Sequence, residues 1–100
     1  MEKKESIKWL RIPLYRLIYE KDLEYFNGLN NDELKNNYSH FSNEELKNIL
    51  EAIKWGVENP EFDFSSLLPY LNQSNKDIYN YLCIMYKQIS SLAEEREKMV

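Results

Sequence analysis

Apolar residues near the end of the chain recur at steps of four and three. The row consists of Ile78, Leu82, Met85, Ile89 and Leu92, and this spacing places all five on one side of an α-helix. Tyr79, Tyr81, Cys83, Ile84 and Tyr86 add apolar character beside the row. A helix that is apolar around most of its circumference is buried. The pattern therefore predicts that Ile78–Ile89 is the central helix of the fold, with the other helices packed around it.

Three further signals predict where helices start. In each signal, a side chain that can cap a helix is followed by an acid three positions later. The three pairs of cap and acid are Asn30 and Glu33, Ser42 and Glu45, and Ser74 and Asp77. The helix after Asn30 is short and is expected to end near Tyr38. The helix after Ser42 carries a clear apolar stripe, and Gly56 and Pro60 bracket its predicted end.

The first part of the chain has a helical pattern over Ser6 to Asn27, interrupted by Pro13. Proline inside a helix costs about 3 kcal/mol or more, whereas it is tolerated in a first turn. Either the helix starts near Pro13 and residues 1–12 form an extended or separately packed arm, or the helix is kinked at Pro13. The start near Pro13 is favoured. Gly28 is expected to end this helix in the left-handed conformation.

Composition supports an all-α fold. With 100 residues the chain is expected to form a single helical domain over residues 1–100, and 43% of its residues are hydrophobic. Two glycines and three prolines are too few for the many turns of a β-sandwich or barrel. We therefore expect a compact bundle of four or five helices. No uninterrupted apolar segment suits a signal peptide or a membrane span, which predicts a cytoplasmic protein.

The residues needed for catalysis or cofactor binding are not grouped in the sequence. His40 is the single histidine and Cys83 the single cysteine. Nothing near His40 supplies both a nucleophile and an orienting acid, and zinc would have to rely mainly on carboxylates. There is no glycine-rich phosphate loop. The sequence thus predicts a protein that is not an enzyme, with no metal, cofactor or small-molecule substrate.

Charge is distributed unevenly along the chain. The first 21 residues carry a net +3, and the remaining residues carry −7. Between Glu44 and Asp63 there are six acids against Lys47 and Lys54. Trp55 lies on the same predicted helix side as several of these acids, and Phe62 follows in an aperiodic segment between Glu58 and Asn72 that could contain one helical turn.

An acidic surface with aromatic side chains would attract a basic protein and hold it through aromatic anchors. We therefore predict an immunity- or antitoxin-type inhibitor that neutralises a basic partner such as a nuclease toxin. The candidate partner-binding residues are Glu44, Glu51, Trp55, Glu58, Glu61, Phe62, Asp63 and Phe64.

Three alternatives remain open at the level of the sequence. The acids could imitate a nucleic-acid backbone in an anti-defence or regulatory inhibitor. The basic N-terminal residues Lys3, Lys4, Lys8 and Arg11 could contact nucleic acid or an anionic membrane surface, although they are more consistent with pairing to the acidic helices of their own domain. The row from Ile78 to Met99 could serve an oligomerisation domain, although a monomer is favoured.

Overall fold

The computed structural model describes residues 3–19, 23, 26–68 and 70–98, and every regular element among them is helical. The predicted all-α bundle is therefore confirmed. The α-helices are α1 (Lys3–Leu14), α2 (Asn31–Tyr38), α3 (Asn43–Glu58) and α4 (Asn75–Lys98), and 3₁₀ helices cover Tyr15–Ile18 and Phe64–Leu67. The second 3₁₀ helix lies in the aperiodic segment, which the sequence indicated could contain one helical turn.

The prediction that the first helix starts near Pro13 is wrong. Pro13 lies in the last turn of α1, which then tightens into the 3₁₀ helix. In this position proline removes one helical hydrogen bond, and the complete burial of Leu10 and Leu14 on either side offsets that loss. Residues 20–22, 24 and 25 of the predicted helix lie outside the described residues.

The predicted capping residues are confirmed at three helix starts. The Asn30 side chain accepts a hydrogen bond from the Glu33 N–H at 2.8 Å. Ser42 and Glu45 form a reciprocal capping box, with bonds of 3.1 Å and 2.9 Å. Ser74 Oγ accepts the N–H three residues further on, at 3.1 Å. Each cap satisfies an N–H group that the helix itself leaves without a partner.

The helix in the middle of the bundle is α3, which packs against both α1 and α4. The predicted row on α4 is buried as expected, with Ile78, Leu82, Met85 and Ile89 completely inaccessible. The opposite side of α4 is exposed at Asn80, Lys87 and Ser91. This corrects the prediction that α4 is enclosed by the other helices, because these polar positions turn one side of the helix to water.

Gly56 marks a close approach between α3 and the elements packed against it. A Cβ atom at this position would lie 3.3 Å from a Phe64 ring carbon and 3.4 Å from a Leu82 methyl carbon. Leu10 of α1 approaches the same point at 3.7 Å. Glycine within α3 thus allows α1, α4 and the second 3₁₀ helix to meet over one position.

Two polar side chains of α4 hold the segments at both ends of α2. The Gln88 amide accepts a hydrogen bond from Leu29 N–H at 2.9 Å and donates one to Leu29 C=O at 2.7 Å. The Arg96 guanidinium donates to the carbonyls of Tyr38 and Phe41 at 2.8 Å and 2.7 Å. These bonds tie the polar end of α4 to the rest of the fold.

Gly28 lies beside Gln88 and has the positive φ that the sequence predicted, 109°. The residues before it, Phe26 and Asn27, are not helical. Gly28 consequently lies in an irregular segment, and its predicted role as the end of a helix is corrected.

Candidate functional site

The exposed side of α3 carries the predicted acidic residues. Glu44, Glu51, Trp55 and Glu58 lie close to one line along the helix, because their separations are near multiples of the helical repeat. The three glutamates are exposed and Trp55 is half-buried against the core. The opposite side of α3 is buried. This amphipathic arrangement fixes which side of the helix is available to another molecule.

The chain after α3 folds back over the last helical turn and brings Phe62 to Trp55. The Asn59 side-chain amide donates to the carbonyl of Trp55 at 2.7 Å, and Phe62 N–H donates to the Asn59 carbonyl at 3.1 Å. The rings of Trp55 and Phe62 then meet edge to face, with centroids 5.0 Å apart and planes at 76°. Edge-to-face contacts of this kind are favourable for aromatic pairs.

A cleft of about 330 Å³ lies beside these two rings and is called here the acidic–aromatic cleft. It is lined by Trp55, Glu58, Asn59, Pro60, Glu61 and Phe62. Four of the predicted site residues therefore line one depression. Its chemical character combines aromatic surface with two exposed carboxylates, which suits a cationic group.

The structure does not bring Phe64 to this surface. Its ring is fully buried in the core and contacts Phe62 at a centroid distance of 5.5 Å. The Phe64 N–H donates to the Asn75 side chain at 3.0 Å, which fixes the ring position against the start of α4. Phe64 cannot touch a partner in this conformation, and the prediction that it does so is corrected: it supports Phe62 from beneath.

The remaining predicted residues lie around the cleft at different distances. Glu51 is exposed one helical turn before Trp55. Asp63 is exposed and accepts a hydrogen bond from Ser65 Oγ at 2.8 Å, so it stabilises the turn that follows. Glu44 lies eleven residues before Trp55, about 16 Å along the helix axis. It borders a separate depression between α3 and the end of α4.

A second, larger cleft was not predicted from the sequence. It has a volume of about 460 Å³ and is lined by Ile12, Tyr15, Arg16, Tyr19, Leu29, Asn37, Tyr38, His40 and Phe41. The signal that could have indicated it is the pair of tyrosines four residues apart, since Tyr15 and Tyr19 remain 52% and 87% exposed. Arg16 in this cleft is bonded to Glu33 at 2.8 Å.

Burial raises the pKa of the Tyr38 hydroxyl well above its ordinary value, with the Arg16 charge acting in the opposite direction. Tyr38 therefore stays neutral and can serve this second cleft only as a hydrogen-bonding and stacking group. His40 is exposed and lies against the Phe41 ring, with centroids 4.2 Å apart.

Within residues 3–19, 23, 26–68 and 70–98, no three His, Cys, Asp or Glu side chains lie close enough together to hold a metal ion. In that same part of the chain no helix combines the length and the apolar character needed to cross a bilayer.

Comparison of the chain with models of known protein families, with curated proteins and with solved structures gave no match.

Proposed function

We propose that this protein is a small, non-enzymatic module that binds a basic protein through the exposed side of α3 and the acidic–aromatic cleft. The proposed class is an immunity- or antitoxin-type inhibitor, and the proposed partner is a nuclease toxin with a positively charged substrate groove. The observation that carries the proposal is the convergence of Trp55 and Phe62 with Glu58 and Glu61 in one cleft.

The two kinds of side chain would have different tasks. Exposed carboxylates accelerate the encounter with a basic surface through long-range attraction, which salt screens. Aromatic side chains in a depression provide most of the contact energy once the surfaces meet. A protein interface of standard size covers about 800 Å² on each partner, which is wide enough to include Glu51 and to reach Glu44 at its rim.

The packing of α4 bears on the oligomerisation alternative. That alternative needs the row beginning at Ile78 to face a second chain, yet Ile78, Leu82, Met85 and Ile89 are buried within one chain. Met99 of this row lies outside the described residues. A protein-binding module that acts as a monomer is therefore the better supported proposal.

The basic residues of α1 bear on the nucleic-acid and membrane alternatives. Lys8 and Arg11 are exposed, and neither forms an ion pair within the described part of the chain. The expected pairing with acidic helices is thus not observed for these two, while the side chains of Lys3 and Lys4 lie outside what the structure describes. Two separated cations form too small a positive surface to favour nucleic acid over the proposed protein partner.

Affinity capture with matched charge variants tests the proposal. The wild type, Glu58→Lys/Glu61→Lys and Glu94→Lys/Glu95→Lys would each be immobilised and exposed to lysate of the source organism. The second double variant changes the net charge equally, at the end of α4 beside the start of α3. We expect the wild type and this control to retain the same basic protein, eluted by salt, and the cleft variant to lose it by tenfold or more.

The retained protein would then be assayed for nuclease activity with increasing amounts of the purified module. Stoichiometric inhibition by the wild type, with none by Glu58→Lys/Glu61→Lys, is expected. Equal retention by all three proteins would contradict the proposed surface, and retention of nucleic acid with no basic protein would contradict the proposed function.

A further inference from the structure

We infer that the acidic–aromatic cleft receives the guanidinium group of a single arginine from the basic partner. This inference rests on the proposed function and specifies the chemistry of its main contact. In this arrangement the guanidinium plane lies against an aromatic face while its N–H groups donate to the carboxylates of Glu58 and Glu61.

The cleft is formed before any ligand arrives. Trp55 is fixed by its position in α3 and by the Asn59 bond to its carbonyl. Phe62 rests on the buried Phe64 ring, whose plane is inclined at 67° to its own. The near-perpendicular rings of Trp55 and Phe62 therefore form a corner that the fold supports from beneath. Preformed sites lose less conformational entropy on binding.

The electrostatics of the cleft favour a cation. Indole and phenyl faces attract positive charge, and the attraction is strongest for tryptophan. Glu58 and Glu61 are exposed at the edges, and neither pairs with a lysine or arginine among the described residues. Lys54 precedes Trp55 but projects about 100° away around the helix axis. The carboxylates of Glu58 and Glu61 can therefore bind a cationic group of a partner.

Arginine fits these features better than other cations do. Its guanidinium is planar, is weakly hydrated and carries five N–H donors, so it can stack on a ring and serve two carboxylates together. The lysine ammonium is a strongly hydrated point charge that does not stack. A trimethylated lysine can contact the rings but has no N–H to offer to Glu58 or Glu61. The volume of about 330 Å³ is at the lower end for ligand clefts, which suits one side chain.

The test uses ¹⁵N-labelled protein titrated with three capped amino acids. N-acetyl-arginine N-methylamide is compared with the lysine and Nε-trimethyl-lysine analogues, and the indole N–H signals of Trp55 and Trp9 are followed. Trp55→Phe assigns the two signals, and half-buried Trp9 on α1 serves as an internal reference. We expect the arginine compound to shift the Trp55 signal at millimolar concentration. Its dissociation constant should be about fivefold lower than that of the lysine compound.

Variants that replace two glutamates with uncharged glutamines separate binding in the cleft from general electrostatic attraction. Glu58→Gln/Glu61→Gln should lose the preference for arginine, whereas Glu94→Gln/Glu95→Gln should keep it. Equal affinity for arginine and lysine, a stronger response to trimethyl-lysine, or equal shifts of Trp55 and Trp9 would overturn the inference.

The two proposals can fail separately. Loss of capture in the Glu58→Lys/Glu61→Lys variant together with no arginine preference would contradict the inference and leave the proposed function standing. Selective arginine binding without capture of any basic protein would contradict the proposed function instead.

Discussion

Gly56 shows how a single residue limits the packing of this fold. Its position in the last turn of α3 costs at most about 1 kcal/mol of helix stability relative to alanine. The missing side chain lets the Phe64 ring and the Leu82 methyl group approach the helix backbone closely. Because both neighbours are completely buried, neither can move into solvent to make room for a larger residue.

We predict that Gly56→Val lowers the free energy of unfolding by about 2 kcal/mol, because overpacking of a filled core is destabilising. Urea denaturation followed by circular dichroism measures this change. Lys54→Val places the same side chain at an exposed position of the same helix and should change stability by less than about 0.5 kcal/mol. A Gly56→Val protein as stable as the wild type would show that the neighbouring side chains can yield.

At the scale of single elements, the start of α3 has an electrostatic component. The Glu45 carboxylate accepts the backbone N–H of Ser42, and Ser42 Oγ accepts the N–H of Glu45. The bond to the Ser42 backbone is the main cause that lowers the pKa of Glu45 below its ordinary value of 4.5, and the bond with the Ser42 side chain adds to it. The folded state therefore favours the ionised form of Glu45.

A group whose pKa is lower in the folded state stabilises the fold above its unfolded pKa and loses that effect as the pH falls through the folded value. We predict that the wild type loses stability as the pH falls below 4.5 and that Glu45→Gln loses less over the same interval. Thermal melts between pH 6 and about pH 3 compare the two proteins. Glu44→Gln, at the exposed neighbouring position, should retain the slope of the wild type, and identical slopes for all three would contradict this role of Glu45.

The starts of α2, α3 and α4 could be predicted from sequence because each cap joins residues three positions apart. Such contacts depend on local geometry alone. The position of Pro13 could not be predicted in the same way, because the burial of Leu10 and Leu14 against α3 decides whether proline is tolerated. The bonds of Gln88 and Arg96 to segments more than fifty residues away have no local signal either.

The same distinction applies to the candidate site. Trp55, Glu58 and Phe62 meet because they lie within one helical turn and the loop directly after it, so their proximity follows from short-range folding. Phe64 is only two residues further on, yet it turns into the core where Gly56 leaves space. The cleft that joins Tyr15 to Tyr38 depends on how the first 3₁₀ helix lies beside α2, which the pattern of residues does not specify.

At the scale of the whole molecule, the row of apolar residues on α4 is buried within a single chain. Leu82 and Met85 are completely inaccessible to solvent within one chain, and a Leu82 methyl group also lies beside Gly56 of α3. A second chain could reach this row only if the bundle opened. The apolar periodicity of α4 is thus explained by the intramolecular core.

We predict that Leu82→Ala lowers the free energy of unfolding by about 3 kcal/mol and leaves the mass in solution equal to that of one chain. Guanidinium denaturation gives the stability, and multi-angle light scattering gives the mass. Lys87→Ala, on the exposed side of α4, should change neither quantity measurably. A wild-type mass of two or more chains that Leu82→Ala reduces to one would contradict an intramolecular role for this row.

The two polar attachments of α4 have a consequence for α2. This helix has eight residues and buries only Leu34 and Tyr38, too little apolar surface to hold it firmly by itself. Gln88 fixes the backbone just before it, and Arg96 fixes the backbone at its end, from positions eight residues apart on one rigid helix. Loss of both attachments would therefore leave α2 held by Leu34, Tyr38 and the Arg16–Glu33 ion pair.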